Sequence, residues 1–272
     1  MKYQIDHDYH IHSHLSPCAG HDPEQSTGNI LKTARKFGFK QICVTDHYWD
    51  SDVKCKWECY SNLNYDWNAQ DLPLPQAEDC RFLFGCETDM DRDYNLGIPR
   101  ARFDDFDFII VPINHMHFAF VCDPARKSVP YVAEQYVKRF EAFLDMDLPF
   151  GKFGLAHLTD RLTYHEVEDG HLAVLNSIPD ETFAYLFAKA AQRGCGIELN
   201  VRLQDVTDPA YIEPTMRPYR IAKQQGCRFY LGSDAHTPGG FEPVPERFRR
   251  VVDLLELEET DKFHIKGFEL VQ

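Results

Sequence analysis

Tyr3-Gln4-Ile5-Asp6-His7-Asp8-Tyr9-His10-Ile11-His12 reads as a β-strand that ends in two histidines. Side chains two apart on a strand point the same way, so His10 and His12 leave it on one face. Ser233-Asp234-Ala235-His236 repeats that spacing near the other end of the chain, just after another apolar run. If the two strands are neighbours, four side chains able to bind a metal ion converge.

Strand-like runs lie at residues 3–11, 41–45, 81–86, 107–112, 153–156, 195–201 and 227–231. Helical patterns separate most of them. Ser26 or Thr27 caps a helix that aligns Ile30, Leu31, Ala34 and Phe37 and stops at Gly38. Val132, Tyr136, Val137, Phe140, Phe143 and Leu144 mark a second, and Asp180 caps a third that carries Phe183, Leu186, Phe187 and Ala190. This alternation predicts parallel strands joined by crossover helices, as an open doubly wound sheet or a closed barrel. An open sheet gathers its site at one switch point, whereas a barrel brings every strand's C-terminal end to one mouth. Because polar residues stand at the end of every run, the expected fold is α/β, a distorted (β/α)7 TIM-like barrel forming one domain over residues 1–272.

Residues 48–79 interrupt the rhythm. They hold Trp49, Trp57, Tyr60, Tyr65 and Trp67 with Pro73 and Pro75, without clean periodicity. A long connection of this kind is usually functional or disordered, and its aromatic content argues against disorder. Two readings stand: a lid or substrate wall over the site, or a surface excursion packed on its own aromatics.

Hydrophobic residues at 43% and charged residues at 26% are ordinary for a globular chain. The formal net charge of -14 argues against long DNA or RNA as a partner, but carboxylates that hold cations would account for part of it. No apolar run reaches the roughly 18 residues that would suggest a membrane span. The nine cysteines and the polar N-terminus predict reduced thiols and a cytoplasmic protein. Cys55 and Cys59 are spaced like half a zinc site, but no second pair follows at finger-like distance, so no zinc knob is expected.

The polar residues at strand ends are His10 and His12, Asp46 and His47, Glu87, His115 and His117, His157, Glu198 and Asn200, and Asp234 and His236, with His21 in the first loop. A lone histidine is more often a satisfied core or surface group than a ligand; the joint placement is what points to metal. Imidazole and carboxylate donors suit zinc, manganese or iron, and a carboxylate can bridge two ions.

In the order Asp8-x-His10-x-His12, Thr45-Asp46-His47, Gly85-Cys86-Glu87, a fourth-strand His, Ala156-His157 and Gly232-Ser233-Asp234-Ala235-His236, the chain resembles the PHP (polymerase and histidinol phosphatase) family of metal-dependent phosphoesterases. The resemblance implies a site for two or three divalent ions (Zn, Mn or Fe). By matched position, His10, His12, Glu87 and Asp234 would hold the first. Glu87 would bridge to a second held by His157 and the fourth-strand His, with His115 expected and His117 the substitute or a substrate-facing residue. His21, His47 and His236 would hold a third. Asp46 is expected to orient a neighbouring imidazole, and Asp8 is read the same way. Glu87, Asp234 and His236 are the expected catalytic residues.

The implied activity is hydrolysis of a small phosphate monoester, histidinol-phosphate-like or another phosphorylated metabolite, by a hydroxide generated between the ions. No nucleophile elbow or P-loop occurs in the chain. Arg161 and Arg202 are the expected phosphate-binding residues, against the plainer reading of solvated loop arginines. A metal-dependent amidohydrolase-like enzyme acting on a C-N or C-O bond and a non-catalytic metal-binding barrel are the alternatives. The oligomeric state is left open.

Overall fold

The computed structural model of the protein describes residues 1–54 and 62–270. Cys55, Trp57, Cys59 and Tyr60 therefore lie outside the described residues. The strands are β1 (His7–Ile11), β2 (Gln41–Val44), β3 (His47–Tyr48), β4 (Arg81–Thr88), β5 (Phe108–Pro112), β6 (Phe153–Ala156), β7 (Gly196–Leu199) and β8 (Arg228–Leu231). All pair in parallel in the order β1-β2-β4-β5-β6-β7-β8, and β3 continues the line of β2 against β4. The result is a nearly closed seven-position barrel in a single domain. Almost every strand residue is buried, as expected when a parallel sheet is covered on both faces.

The helices are α1 (Thr27–Phe37), α2 (Tyr65–Asn68), α3 (Val129–Asp145), α4 (Gly170–Ser177), α5 (Asp180–Arg193), α6 (Pro209–Gln224) and α7 (Val244–Leu254). In α1 the buried face is Ile30, Leu31 and Ala34, and Gly38 ends it in the left-handed conformation, returning its N–H to Ala34 and Arg35. Asp180 is the first residue of α5, and Pro179 takes the cap position assigned to it from sequence.

The barrel interior is filled by Tyr9, Cys43, Leu83, Phe108, Ile110, Ala156 and Tyr230, with Phe263 and Ile265 from the C-terminal segment. Between Asp8 and Ile11 the register of β1 slips against β2. Such an added residue breaks strict alternation: Tyr9 joins the interior layer while Ile11 packs outward among the helices. His10 and His12 are thereby released toward the mouth.

Closure joins β1 to β8. Higher up it uses backbone, with Asp234 N–H donating to His10 O at 2.7 Å and His12 N–H to Ala235 O at 3.1 Å. Lower down it uses side chains. Leu231 N–H donates to His7 Nε2 at 3.0 Å and Ser233 N–H to Asp8 Oδ1 at 2.9 Å. Burial pulls the His7 imidazole down, against the opposing effect of Asp6, and favours the neutral ring that can accept this bond. Burial pushes the Asp8 carboxyl up to about 7.

The part of 48–79 that is described is ordered by its aromatics. Trp49 and Leu63 are buried, and Trp67 Nε1 donates to Leu15 O at 2.8 Å, docking α2 on the loop after β1. Among the described residues no helix is long and apolar enough to cross a membrane.

Candidate metal centre

At the C-terminal mouth of the barrel, β1 supplies His10 and its continuation His12, β3 supplies His47, β4 Glu87, and the ends of β5, β6 and β8 supply His115, His157 and Asp234. His12, Cys18, His47, Glu87, His115, His117, Phe118, His157, Asp234 and His236 are among the residues lining a cavity of about 260 Å³. That size suits a small substrate.

Glu87 stands at the centre, buried, with its two oxygens facing different partners. Oε1 lies 3.1 Å from His157 Nε2 and 3.8 Å from His115 Nε2. Oε2 lies 3.1 Å from His47 Nδ1, 3.3 Å from His12 Nε2 and 3.7 Å from His10 Nε2. Asp234 Oδ1 is 3.2 Å from His10 Nε2 and 3.1 Å from His12 Nε2, and those two nitrogens are 3.1 Å apart. The donor atoms of His10, His12 and Asp234 form one compact group, and those of Glu87, His115 and His157 a second.

These separations fit divalent ions. Donors about 2.0–2.1 Å from a tetrahedral ion stand about 3.3 Å from one another. The hydrogen bonds on the far side of each ring point the same way. His10 Nδ1 meets Glu198 Oε1 at 2.7 Å, His12 Nδ1 meets Ser16 Oγ at 3.0 Å, His115 Nδ1 meets Asp89 Oδ1 at 2.9 Å and His157 Nδ1 meets Asn114 Oδ1 at 3.1 Å. With Nδ1 so engaged, each Nε2 can present a lone pair to the centre, the arrangement that metal-binding histidines use.

Charge supports this. Burial works against ionising Glu87, yet the imidazoles of His47 and His10 outweigh it and hold its carboxyl well below the usual range. Asp234 is held low in the same way by His10, His12 and His236. Burial lowers His12, but Asp234 and Glu87 reverse the effect and push it up to about 9. His157 is likewise carried up to about 9 by Glu87, Asp234 and Glu198 against burial. Protons on these rings occupy the place that a cation would take.

The backbone is bent to make the geometry. His157 and Asp234 have φ of 28° and 56°, a region costly for residues other than glycine. Gly232 makes room for Glu198, whose Oε1 would stand 1.8 Å from any β-carbon there. Glu198 also accepts from the His157 backbone N–H through Oε2 at 2.5 Å, so one buried carboxylate holds the His10 ring and the backbone that carries His157.

His115 joins the second donor group and His117 does not. The His117 ring lies 3.8 Å from that of Phe118, and its buried Nδ1 has no hydrogen-bond partner. Asp46 is committed to Ser13, accepting its N–H at 2.7 Å and its hydroxyl at 2.6 Å. His236 stacks on His12 at 4.4 Å between ring centres and turns Nδ1 onto Asp234 O at 2.6 Å. His21 is exposed, with Nδ1 3.1 Å from His14 O and its ring beside Trp67. Arg202 is clamped by both oxygens of Asp205, at 2.7 and 3.1 Å, and Arg161 is exposed beside Leu162. Among the described residues neither arginine lines the cavity.

Sequence reasoning left Glu198 and Asn200 without a settled role, and did not find Ser16, Cys18, Asp89, Asn114 or Arg247 at all. Arg247 reaches from α7 to Val201 O at 2.7 Å and Asn200 Oδ1 at 2.9 Å, and so holds the exit of β7. The short distance from His12 was the one available signal for Ser16 and Cys18.

The model of the PHP domain matches residues 8–202 of the chain. A zinc-bound histidinol phosphate phosphatase from Lactococcus lactis, crystallised with L-histidinol and phosphate, is 18% identical, with a TM-score of 0.61 and coverage of 95% of this chain and 98% of that one. A protein from Listeria monocytogenes, provisionally assigned as a histidinol phosphatase, is 14% identical, with a TM-score of 0.56 over 87% of this chain and 97% of that one. At these identities the likeness is one of fold. No curated protein sequence matches the chain.

Proposed function

Because the chain belongs to the PHP domain family, we propose that it is a metal-dependent phosphoesterase that hydrolyses a small phosphate monoester. The observation that carries the proposal is the division of Glu87, with Oε1 toward His157 and His115 and Oε2 toward His47, His12 and His10. A carboxylate so placed can bridge two ions. His10, His12 and Asp234 would complete one set of ligands, and His115 and His157 the other. Divalent ions held there supply a water of lowered pKa and neutralise charge on a phosphoryl group.

The protein groups prepare that chemistry. Glu198, Ser16, Asp89 and Asn114 keep the Nε2 atoms turned inward. His236 donates its Nδ1–H to Asp234 O, so its Nε2 is the acceptor, available to an ion or to a proton from the attacking water. Burial, helped by the neighbouring His12 charge, lowers its pKa and keeps that acceptor neutral. His117 borders the cavity and can contact the leaving group.

Of the two arginines, Arg161 remains available to phosphate, since Arg202 is held by Asp205. The described cavity lining contains no lysine or arginine, which favours a second reading, attack on an amide or lactone carbonyl. We assign the residues around Trp67 as a wall of the entrance, because α2 docks on the loop that borders it. Histidinol phosphate is one candidate substrate among phosphorylated metabolites.

The test is to reconstitute the protein with zinc, manganese or iron and to compare phosphate release from phosphorylated metabolites with hydrolysis of amides and lactones. Phosphate release that requires metal is the expected result. Turnover of the second panel alone would replace the proposal with the carbonyl reading.

A further inference from the structure

We propose that Cys18 is a sulfur ligand to an additional ion at the mouth of the centre, in the place that His21 was expected to fill. The inference rests on the metal-dependent reading above. The Cys18 sulfur and ring nitrogens of His12 and His47 lie within 4.8 Å of one another. Cys18 borders the same cavity as Glu87, Asp234 and His236.

The local fold explains why the thiol stands there. Ser16 Oγ meets His12 Nδ1 at 3.0 Å and accepts His47 N–H at 3.2 Å. One hydroxyl therefore ties both histidines to the loop that bears Cys18 two residues later. The turn Pro17–Ala19 is closed by Gly20, with φ of 63° and its N–H on Pro17 O at 3.0 Å. His21, by contrast, is turned onto His14 O and Trp67. His12 turns its Nε2 to the ion beneath, so the donors left to the mouth are the Cys18 sulfur and His47, with His236 stacked on His12 beside them.

A sulfur in this set has a chemical consequence. Thiolate favours zinc, and disfavours manganese, which prefers oxygen. The mouth position is thus expected to select a softer ion than the carboxylate-rich positions beneath it.

The test uses cobalt-loaded full-length protein. Expected is a thiolate-to-cobalt charge-transfer band in the near ultraviolet that is lost in Cys18→Ser and kept in His21→Ala. Cys18→Ser should also weaken zinc at this position by at least roughly tenfold, the lower end of what loss of a supporting partner alone costs. Cys18→Asp, which offers oxygen, should hold an ion without the band. On wild-type protein, zinc should slow alkylation of Cys18. A band that survives in Cys18→Ser, or cobalt binding without any band, would overturn the assignment while leaving the metal-dependent reading intact. Failure to bind any divalent ion would overturn both.

Discussion

A β-carbon on residue 232 would stand 1.8 Å from Glu198 Oε1, so the absence of a side chain at Gly232 is what lets Glu198 reach His10 at 2.7 Å. Gly232→Ala should displace that carboxylate and free the His10 ring. Metal affinity is expected to fall roughly 10- to 100-fold, read by competition against a chelator. Glu198→Gln should give a smaller loss, because it keeps an acceptor oxygen without its charge. Unchanged affinity in both variants would remove Glu198 from the support of the site.

Glu87→Gln tests the bridge. Loss of a shared carboxylate is expected to lower bound metal by at least one ion per chain and to bring hydrolysis close to background, measured by elemental analysis and phosphate release. Full retention of both would sink the bridging assignment.

Metal loading should release protons. Without metal, Asp234 and Glu87 push His12 up to about 9 against burial, and Glu87 does the same for His157, so these two rings are expected to carry protons at pH 7. Ligation requires neutral imidazole. Affinity should therefore rise with pH up to about 9, and calorimetry in buffers of different ionisation heat should show release of about two or more protons at pH 7. Uptake independent of pH would contradict the charge states assigned to these rings.

His7 links acidity to the barrel seam. Its folded pKa is lowered from the ordinary 6.5, so its contribution is present above about 6.5 and is lost as pH falls toward the folded value. Protonation would also take Nε2 away from Leu231 N–H. His7→Gln should remove this part of the pH dependence of Tm between pH 7 and 5. His7→Ala should cost roughly 1–3 kcal/mol at pH 7 by leaving a buried N–H without an acceptor. A Tm profile unchanged in His7→Gln would refute the assignment.

Trp67→Phe removes the hydrogen bond from α2 to Leu15 O. A loss of about 1 kcal/mol is expected, together with faster alkylation of Cys18 as its loop loosens. Stability loss without a change in alkylation would separate this segment from the mouth of the site.

The barrel was legible because its strands are short apolar runs, each ending in a polar residue, and because α1, α3 and α5 carry clean helical periodicity. α6 was harder to see: Pro214 and Pro218 lie within it, and proline reads as a breaker along a single sequence. The two-residue β3 is too short to leave a pattern, yet it pairs His47 with Glu87. Among the site residues, histidines at strand ends could be read by spacing. Asp89 and Asn114 could not, since their roles depend on rings that only the closed barrel brings near. The direction of His21 could not be read, because spacing within a loop does not fix it, whereas the turn at Pro17–Ala19 does. Arg202 shows a related effect: Asp205, three residues away, pairs with it locally.

The seam between β1 and β8 joins residues more than two hundred positions apart, as in the bond from Ser233 to Asp8. Contacts of such span carry a large loop-closure cost and form late. During synthesis His10 and His12 emerge early and must wait, unmatched, until Asp234 has been made. Assembly of the cluster therefore waits on late synthesis: a nascent chain that stalls before β8 has no Asp234 to set beside His10 and His12.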